Sequence, residues 1–180
     1  MNHENSEIVN LNSTLGIYPP HFNAYIKLVK EDDIKTALKD QTPKAENFFN
    51  SITEEQSFYK YAEGKWTIKE VLQHVIDAER IFAYRALAFA RKDKNILPSF
   101  DENEYAANSN SNIRSWRALI EEFNAVRKST EILFNSFTEE NLKTSGKASD
   151  YTITVMALGY ITVGHSIHHI NIIRERYIAV

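Results

Sequence analysis

Apolar residues return every three or four positions through four long stretches of the chain, and the intervening stretches are short, polar and hold most of the Gly and Pro. That period is helical. The first predicted helix spans about 32–51, with Ile34, Leu38, Ala45, Phe48 and Phe49 apolar. Pro43 lies inside it and predicts a kink or a split, because proline lacks an N–H and crowds the preceding turn. The second spans about 68–92, with Val71, Val75, Ala78, Phe82 and Phe89 toward a core. Thr67 and Glu70 have the spacing of a capping box, and Trp66 and Val71 that of a hydrophobic staple. The third spans about 113–137, opened by Ser111 or Asn112 as N-cap. The fourth spans about 153–177, with Thr152 as cap. No segment alternates convincingly as a strand would, so the predicted class is all-α, a four-helix bundle.

The two halves of the chain are related. Phe49-Asn50-Ser51-Ile52-Thr53-Glu54-Glu55-Gln56 returns 85 positions later as Phe134-Asn135-Ser136-Phe137-Thr138-Glu139-Glu140-Asn141, and Trp66-Thr67-Ile68 returns at the same offset as Tyr151-Thr152-Ile153. This register predicts two related helical hairpins about a pseudo-twofold. A long crossover over 93–112, with Pro98 and several Asn and Ser, joins the second helix to the third.

The fourth helix is apolar on both sides. One face carries Leu158, Ile161, Ile172 and Ile173; the other carries Met156, Tyr160, Val163, Ile167 and Ile170. A helix of that kind is buried on both sides. The second stripe is long enough to mark a contact, and a homodimer would cover it on both subunits with one twofold. The alternative cover is the crossover, or the segment 18–29 folded back over the stripe.

Histidines supply the candidate chemistry. His165 and His169 are four residues apart on the core-facing side of the fourth helix, so their rings point the same way. His74 lies at the edge of the core face of the second helix. Bundle cores house metals held by side chains of facing helices, and three imidazoles leave a coordination position open. His168 falls about 80° to the side on helical geometry and sits outside that set. His3 and His21 lie outside the helices and receive no role. The chain has no cysteine, so disulfides, thiolate ligands and a cysteine nucleophile are excluded and any metal is held by nitrogen and oxygen.

Length and composition fit one domain over 18–180 behind a polar, Asn-rich tail over 1–17, with 43% hydrophobic residues in 180. A formal charge of −3 argues against a general nucleic-acid binder. The tail lacks the apolar core of a signal peptide, and no apolar run approaches a membrane span of about 18 residues. The expected address is the cytoplasm, with no membrane or nucleic-acid partner. Two metal motifs fail on inspection. His165-Ser166-Ile167-His168-His169 has Ser166 where a zincin needs its glutamate. The di-iron bundle pattern needs Glu-x-x-His on two helices, and Glu70 precedes His74 by four residues instead of three.

Gly64-Lys65-Trp66-Thr67-Ile68-Lys69-Glu70-Val71-Leu72-Gln73-His74, then Asp77-Ala78-Glu79-Arg80-Ile81-Phe82-Ala83-Tyr84-Arg85-Ala86-Leu87, resembles the second-helix signature of the DinB/YfiT-like metalloenzymes. Gly164-His165-Ser166-Ile167-His168-His169 with Arg174-Glu175-Arg176-Tyr177 resembles their last-helix motif, and the likeness runs from about residue 18 to 177. The resemblance implies a four-helix bundle with a long crossover after the second helix. It also implies a divalent metal, nickel or zinc, on His74, His165 and His169. Members include S-transferases that use low-molecular-weight thiols such as bacillithiol, mycothiol-dependent isomerases, and proteins described as hydrolases. The family commonly has an acid just after the first histidine of the last-helix motif. Ser166 stands there instead, which removes one acid–base candidate.

The leading functional expectation is a metal-dependent transfer of a bacillithiol-like thiol to a small electrophile, the metal lowering the thiol pKa. The alternative is metal-dependent hydrolysis of a small substrate, for which Asp77, one turn beyond His74 but about 60° away, is the nearest candidate base. A third reading is a noncatalytic interaction module stapled by the metal, which a fourth protein ligand would favour. Arg85, nearly in line with His74 three turns on, is a second catalytic candidate, able to meet an anionic group. Phe100 and Tyr105, in the crossover, are the candidate cofactor- or substrate-binding lid.

Overall fold

A computed structural model describes residues 15–178. Within them the chain forms α1 (Asn23–Ile26), α2 (Ile34–Asn50), α3 (Ile68–Ala90), α4 (Glu102–Asn108), α5 (Trp116–Asn135), α6 (Glu139–Lys143), the strands β1 (Ser145–Ala148) and β2 (Tyr151–Thr154), and α7 (Val155–Ile173), which ends in a π-helical turn at Arg174–Ile178. The four long helices, α2, α3, α5 and α7, make the bundle.

Side-chain pairs between helices fix their directions. Ile34 lies by Gly159, Gln41 bonds Ser166 and Arg174 covers Phe48, so α2 and α7 run parallel. Gln73 bonds Arg114 and Arg80 bonds Glu122, so α3 and α5 also run parallel. His74, near the start of α3, meets His169, near the end of α7. Glu46 of α2 accepts from Asn124 of α5, and Thr42 donates to Glu131. These two pairs of helices are therefore antiparallel. The extensive packing is α3 on α7 and α5, and α2 on α7 and α5. The two helices of each unit, α2 with α3 and α5 with α7, thus face each other across diagonals, and the two related units are interleaved.

The internal repeat is visible as shared geometry. Ser51 and Ser136 each cap their helix by donating a hydroxyl to the carbonyl three residues back, Phe48 and Leu133. Thr53 with Gln56, and Thr138 with Asn141, then form the same reciprocal pair of side-chain bonds. The second repeated block diverges. Thr67 closes the predicted capping box with Glu70 at the start of α3, whereas Thr152 sits inside β2 and the cap of α7 is Thr154. The expectation of no strands is corrected here. Ser145–Ala148 pairs antiparallel with Tyr151–Thr154 around a turn in which Ser149 is left-handed at φ 53°. Tyr-Thr-Ile-Thr after Ser-Asp carried a short strand signal, diluted by the apolar helix that follows.

Two other helix boundaries differ from the periodicity. The third long helix starts at Trp116 with Ser115 as cap, not at Ile113 behind Ser111 or Asn112. Glu54 accepts from the Trp116 amide at 2.6 Å and buried Lys69 donates to the Arg114 carbonyl at 2.6 Å, so partners distant in sequence set the entry. Pro43 neither splits nor ends α2. Pro43 and Lys39, whose carbonyl loses its usual donor, both lie on the exposed face, where the carbonyl is open to solvent.

Of the predicted polar tail, 1–14 lies outside the described residues, and His3 with it. The remainder belongs to the domain. Thr154 donates its hydroxyl to the Leu15 carbonyl at 2.6 Å and its amide to Ile17 at 2.9 Å, and Tyr18 is buried. The segment continues as α1 over α7, so close that a Cβ on Gly164 would strike the Tyr25 carbonyl. Tyr160 donates to the Asp32 carbonyl at 2.6 Å. The stripe assigned to a homodimer is therefore covered within the chain: Tyr160, Val163 and Ile170 are buried, and Met156 and Ile167 half-buried. The cover is the alternative that the sequence offered, the segment 18–29, and the stripe itself gives no argument for a dimer. Among the described residues no helix is long and apolar enough to cross a membrane.

The core is divided. One apolar cluster gathers around Phe82, Phe89, Phe134 and Leu158, the other around Phe49, Leu72, Phe123 and Ile173. Between them lies a polar layer. Arg127 of α5 donates to both oxygens of Glu79 on α3, at 2.8 Å from Nε and 2.8 Å from Nη2. It also donates to Gln41 of α2, which donates in turn to Ser166 of α7 at 3.1 Å.

Candidate metal centre

His74, on the second turn of α3, and His165 and His169, on successive turns of α7, bring their Nε2 atoms together. His165 Nε2 lies 3.0 Å from that of His74 and 3.1 Å from that of His169. Ring centroids are 4.5–4.9 Å apart. A neutral imidazole nitrogen offers one lone pair or one N–H, so His165 Nε2 can satisfy one of these neighbours but not both. Bonds of about 2.1 Å from each nitrogen to a common ion accommodate all three. The donor set thus fits a divalent metal better than it fits a hydrogen-bonded trio. Among the described residues no fourth His, Asp or Glu joins this group.

The electrostatics keep the rings in the ligating form. Burial, opposed by the Glu102 charge, pushes His74 down to about 4. Burial first, then mutual repulsion with neighbouring imidazoles, holds His165 and His169 well below the usual histidine range. Neutral rings present lone pairs at neutral pH. His168 lies outside the group, its ring 5.0 Å from that of Tyr25.

The cluster forms one wall of a cavity of about 510 Å³. Aromatic rings dominate the rest: Phe22 and Tyr25 from the N-terminal segment, Trp66 just before α3 and Phe82 on it, Phe100 from the crossover and Tyr151 from β2. The hairpin and crossover are stitched together at the mouth, where Leu97 donates to the Lys147 carbonyl and accepts from the Ser149 amide. That junction delivers Ser99, Phe100 and Glu102 to one side of the cavity and Ala148, Ser149 and Tyr151 to the other.

The remaining sequence candidates divide. Arg85 lines the cavity, buried, and donates to the Pro98 carbonyl at 2.7 Å. Phe100 lines it too. Tyr105 does not: its ring packs on Phe100 at 5.2 Å but belongs to a neighbouring depression shared with Asp77 and Arg80. Asp77 likewise turns away, accepting from Gln73 at 2.9 Å, and burial raises its pKa. The helical angle from His74 already pointed it there. The carboxylate in the cavity is Glu102, which the sequence reading missed among the consecutive acids of the crossover. His21, given no role, is a wall residue edge-on to Tyr151 at 5.3 Å. Trp66, read only as a staple, packs on the His74 ring at 5.0 Å.

Fold and site define a four-helix bundle of interleaved halves with a three-imidazole cluster on the wall of a solvent-accessible cavity. The chain belongs to the DinB superfamily, which it matches over residues 37–173. YfiT from Bacillus subtilis, titled a probable metal-dependent hydrolase with an unusual four-helix bundle topology, superposes with a TM-score of 0.69 at 21% identity, covering 80% of this chain and 83% of that one. A mycothiol-dependent maleylpyruvate isomerase superposes with a TM-score of 0.65 at 11% identity, over 80% and 61% of the two chains. In sequence, the Oceanobacillus iheyensis protein named "Putative metal-dependent hydrolase OB0413" is 29% identical over 65 residues, 36% of this chain and 37% of that protein's length. The structural similarities show the fold, and the histidine geometry by itself fits a divalent metal.

Proposed function

We propose that this protein is a metal-dependent hydrolase of a small molecule, with His74, His165 and His169 as the metal ligands. The carrying observation is the convergence of three neutral ring nitrogens on one wall of an aromatic cavity, with no fourth protein donor beside them among the described residues. A group of three protein ligands is the open, catalytic pattern and not the closed, structural one, so among the described residues the metal-staple reading lacks its fourth ligand. A divalent ion there supplies Lewis acidity and a lowered pKa for the nucleophile. The all-nitrogen donor set suits zinc and nickel alike.

The chain's own groups do the rest. Glu102 lines the same cavity and its charge reaches both His74 and Tyr25. It is the general base, taking a proton from the attacking water and returning it to the leaving group. Trp66, Phe82 and Tyr25 hold an apolar substrate body and exclude bulk water. A second reading, transfer of an external low-molecular-weight thiol, draws on the mycothiol-dependent fold neighbour and on a cavity large enough for a thiol and an electrophile.

One experiment tests both. Apo-protein is loaded with zinc or nickel, and metal content is measured for wild type and His165→Ala. Each is then assayed on a panel of esters and amides, and on monochlorobimane with bacillithiol. The expected result is one metal per wild-type chain, less than a tenth of that in His165→Ala, and metal-dependent hydrolysis. Turnover only with thiol would favour the second reading. Equal metal content in the variant would remove the assigned ligands.

A further inference from the structure

Among the described residues Arg85 is a buried cation without a counterion. It is 7% exposed, and among the described residues no carboxylate lies within ion-pair distance of it, although Arg127 in the same bundle has Glu79. A guanidinium carries five N–H donors, and one of Arg85's is used, on the Pro98 carbonyl. The remaining donors are not sealed in the protein. The fully buried side-chain polar atoms without partners are Asn23 Oδ1 and Asn124 Oδ1 alone among the described residues, and Arg85 is part of the cavity wall. Leaving a cation desolvated and unpaired is costly unless something completes it.

The position of this cation is informative. His74, Ala78, Phe82 and Arg85 all line the cavity and follow one another on α3 at intervals of four, four and three residues. They form a single stripe along the helix. Eleven residues at a rise of about 1.5 Å separate the ends by about 16 Å between Cα atoms, and the arginine side chain leans back toward the histidines. The floor between them is apolar, made of Ala78 and Phe82, and Phe22 closes over it edge-on to Phe82 at 6.3 Å.

We infer that the substrate is a small organic anion, bound lengthwise with its carboxylate or phosphate on Arg85, its apolar body over Ala78 and Phe82, and its reactive group at the histidines. Only this last placement rests on the proposed metal chemistry. Anion capture by Arg85 does not need the metal. The bond from Arg85 to Pro98 also ties the anion subsite to the crossover that carries Phe100 and Glu102, so an occupied subsite holds those residues at the mouth.

The test uses metal-free protein, 4-phenylbutyrate as the anionic probe and 4-phenylbutyramide as its neutral counterpart, with binding measured by calorimetry and by intrinsic tryptophan fluorescence. Wild type should bind the carboxylate at least about tenfold more tightly than the amide, the range of a charge-assisted hydrogen bond. Arg85→Gln should lose that preference and leave amide binding unchanged, while Arg85→Lys should keep part of it. Thermal unfolding of each variant checks that the fold persists; if Arg85→Gln unfolds, the Arg85→Lys comparison and the wild-type carboxylate-to-amide ratio decide. Equal binding of the two probes by wild type, or a preference that survives in Arg85→Gln, would overturn the inference. Because no metal is present, failure here leaves the metal centre untouched, and failure to bind metal leaves this result readable.

Discussion

Arg127 and Arg85 are both buried in the same bundle, yet their surroundings are completed in opposite ways. Arg127 is wholly buried and places its fork on both oxygens of Glu79, with Gln41 on its remaining side and Ser166 beyond. Arg85 reaches a single backbone carbonyl and faces a cavity. The histidines side with Arg85: three ring nitrogens converge where hydrogen bonding can satisfy only part of the set. The contrast separates two uses of buried polarity. A saturated network fixes how four helices meet, because any other register would strand a charge. An unsaturated one holds valence open for a ligand.

The largest effect should come from breaking the saturated side. Arg127→Ala strands the Glu79 carboxylate and should cost about 3–5 kcal/mol in urea unfolding. Replacing the set together, with Arg127→Met, Glu79→Leu and Gln41→Leu, should recover most of that loss. A single variant as stable as wild type would show that the layer does not set the packing.

A smaller effect should appear on the open side through pH. His74 titrates near 4 in the folded protein against about 6.5 unfolded, and His165 and His169 are depressed in the same direction. The unfolded chain therefore binds more protons below about 6.5, and the stability of metal-free protein must fall as pH falls through that value. Between pH 7.5 and 6.0 His74 alone should contribute a loss of about 1 kcal/mol, with the other two adding to it. His74→Phe should flatten part of the slope. A urea midpoint that rises on acidification over this range would contradict the burial of neutral rings.

The smallest effect belongs to Asp77→Asn. Asparagine can still accept from Gln73, and the residue faces the neighbouring depression instead of the metal cavity. Stability should stay within about 0.5 kcal/mol of wild type and metal content should be unchanged. Loss of metal in this variant would return Asp77 to the site.

Helix periodicity made most of the fold legible, because each amphipathic segment carries its own burial pattern and the α3 cap is a local reciprocal bond. The i, i+4 pair His165 and His169 was legible for the same reason, since one helix fixes both ring directions. Where the reading slipped, the deciding contacts were distant. The start at Trp116 depends on Glu54, 62 residues earlier. The start of α7 depends on a hairpin that consumes Thr152, and on Leu15 and Ile17 as acceptors for Thr154. The second stripe of α7 was read correctly as covered, and of the covers weighed, a second subunit, the crossover or the segment 18–29, the last lies on it.

By itself, then, the sequence determined the helices, the relation between the two halves, the absence of any cysteine thiol of the chain's own and the residues able to ligate a metal. All of these follow from residue identity and short-range spacing. Tertiary structure alone decided the diagonal placement of the two helices within each unit, the close approach of the three ring nitrogens, and the choice of Glu102 over Asp77 as the cavity's carboxylate. It also decided that Arg127 is paired while Arg85 is left open. Each of these depends on which surfaces meet across the bundle, and one helical period leaves that undetermined because several packings bury the same stripes equally well.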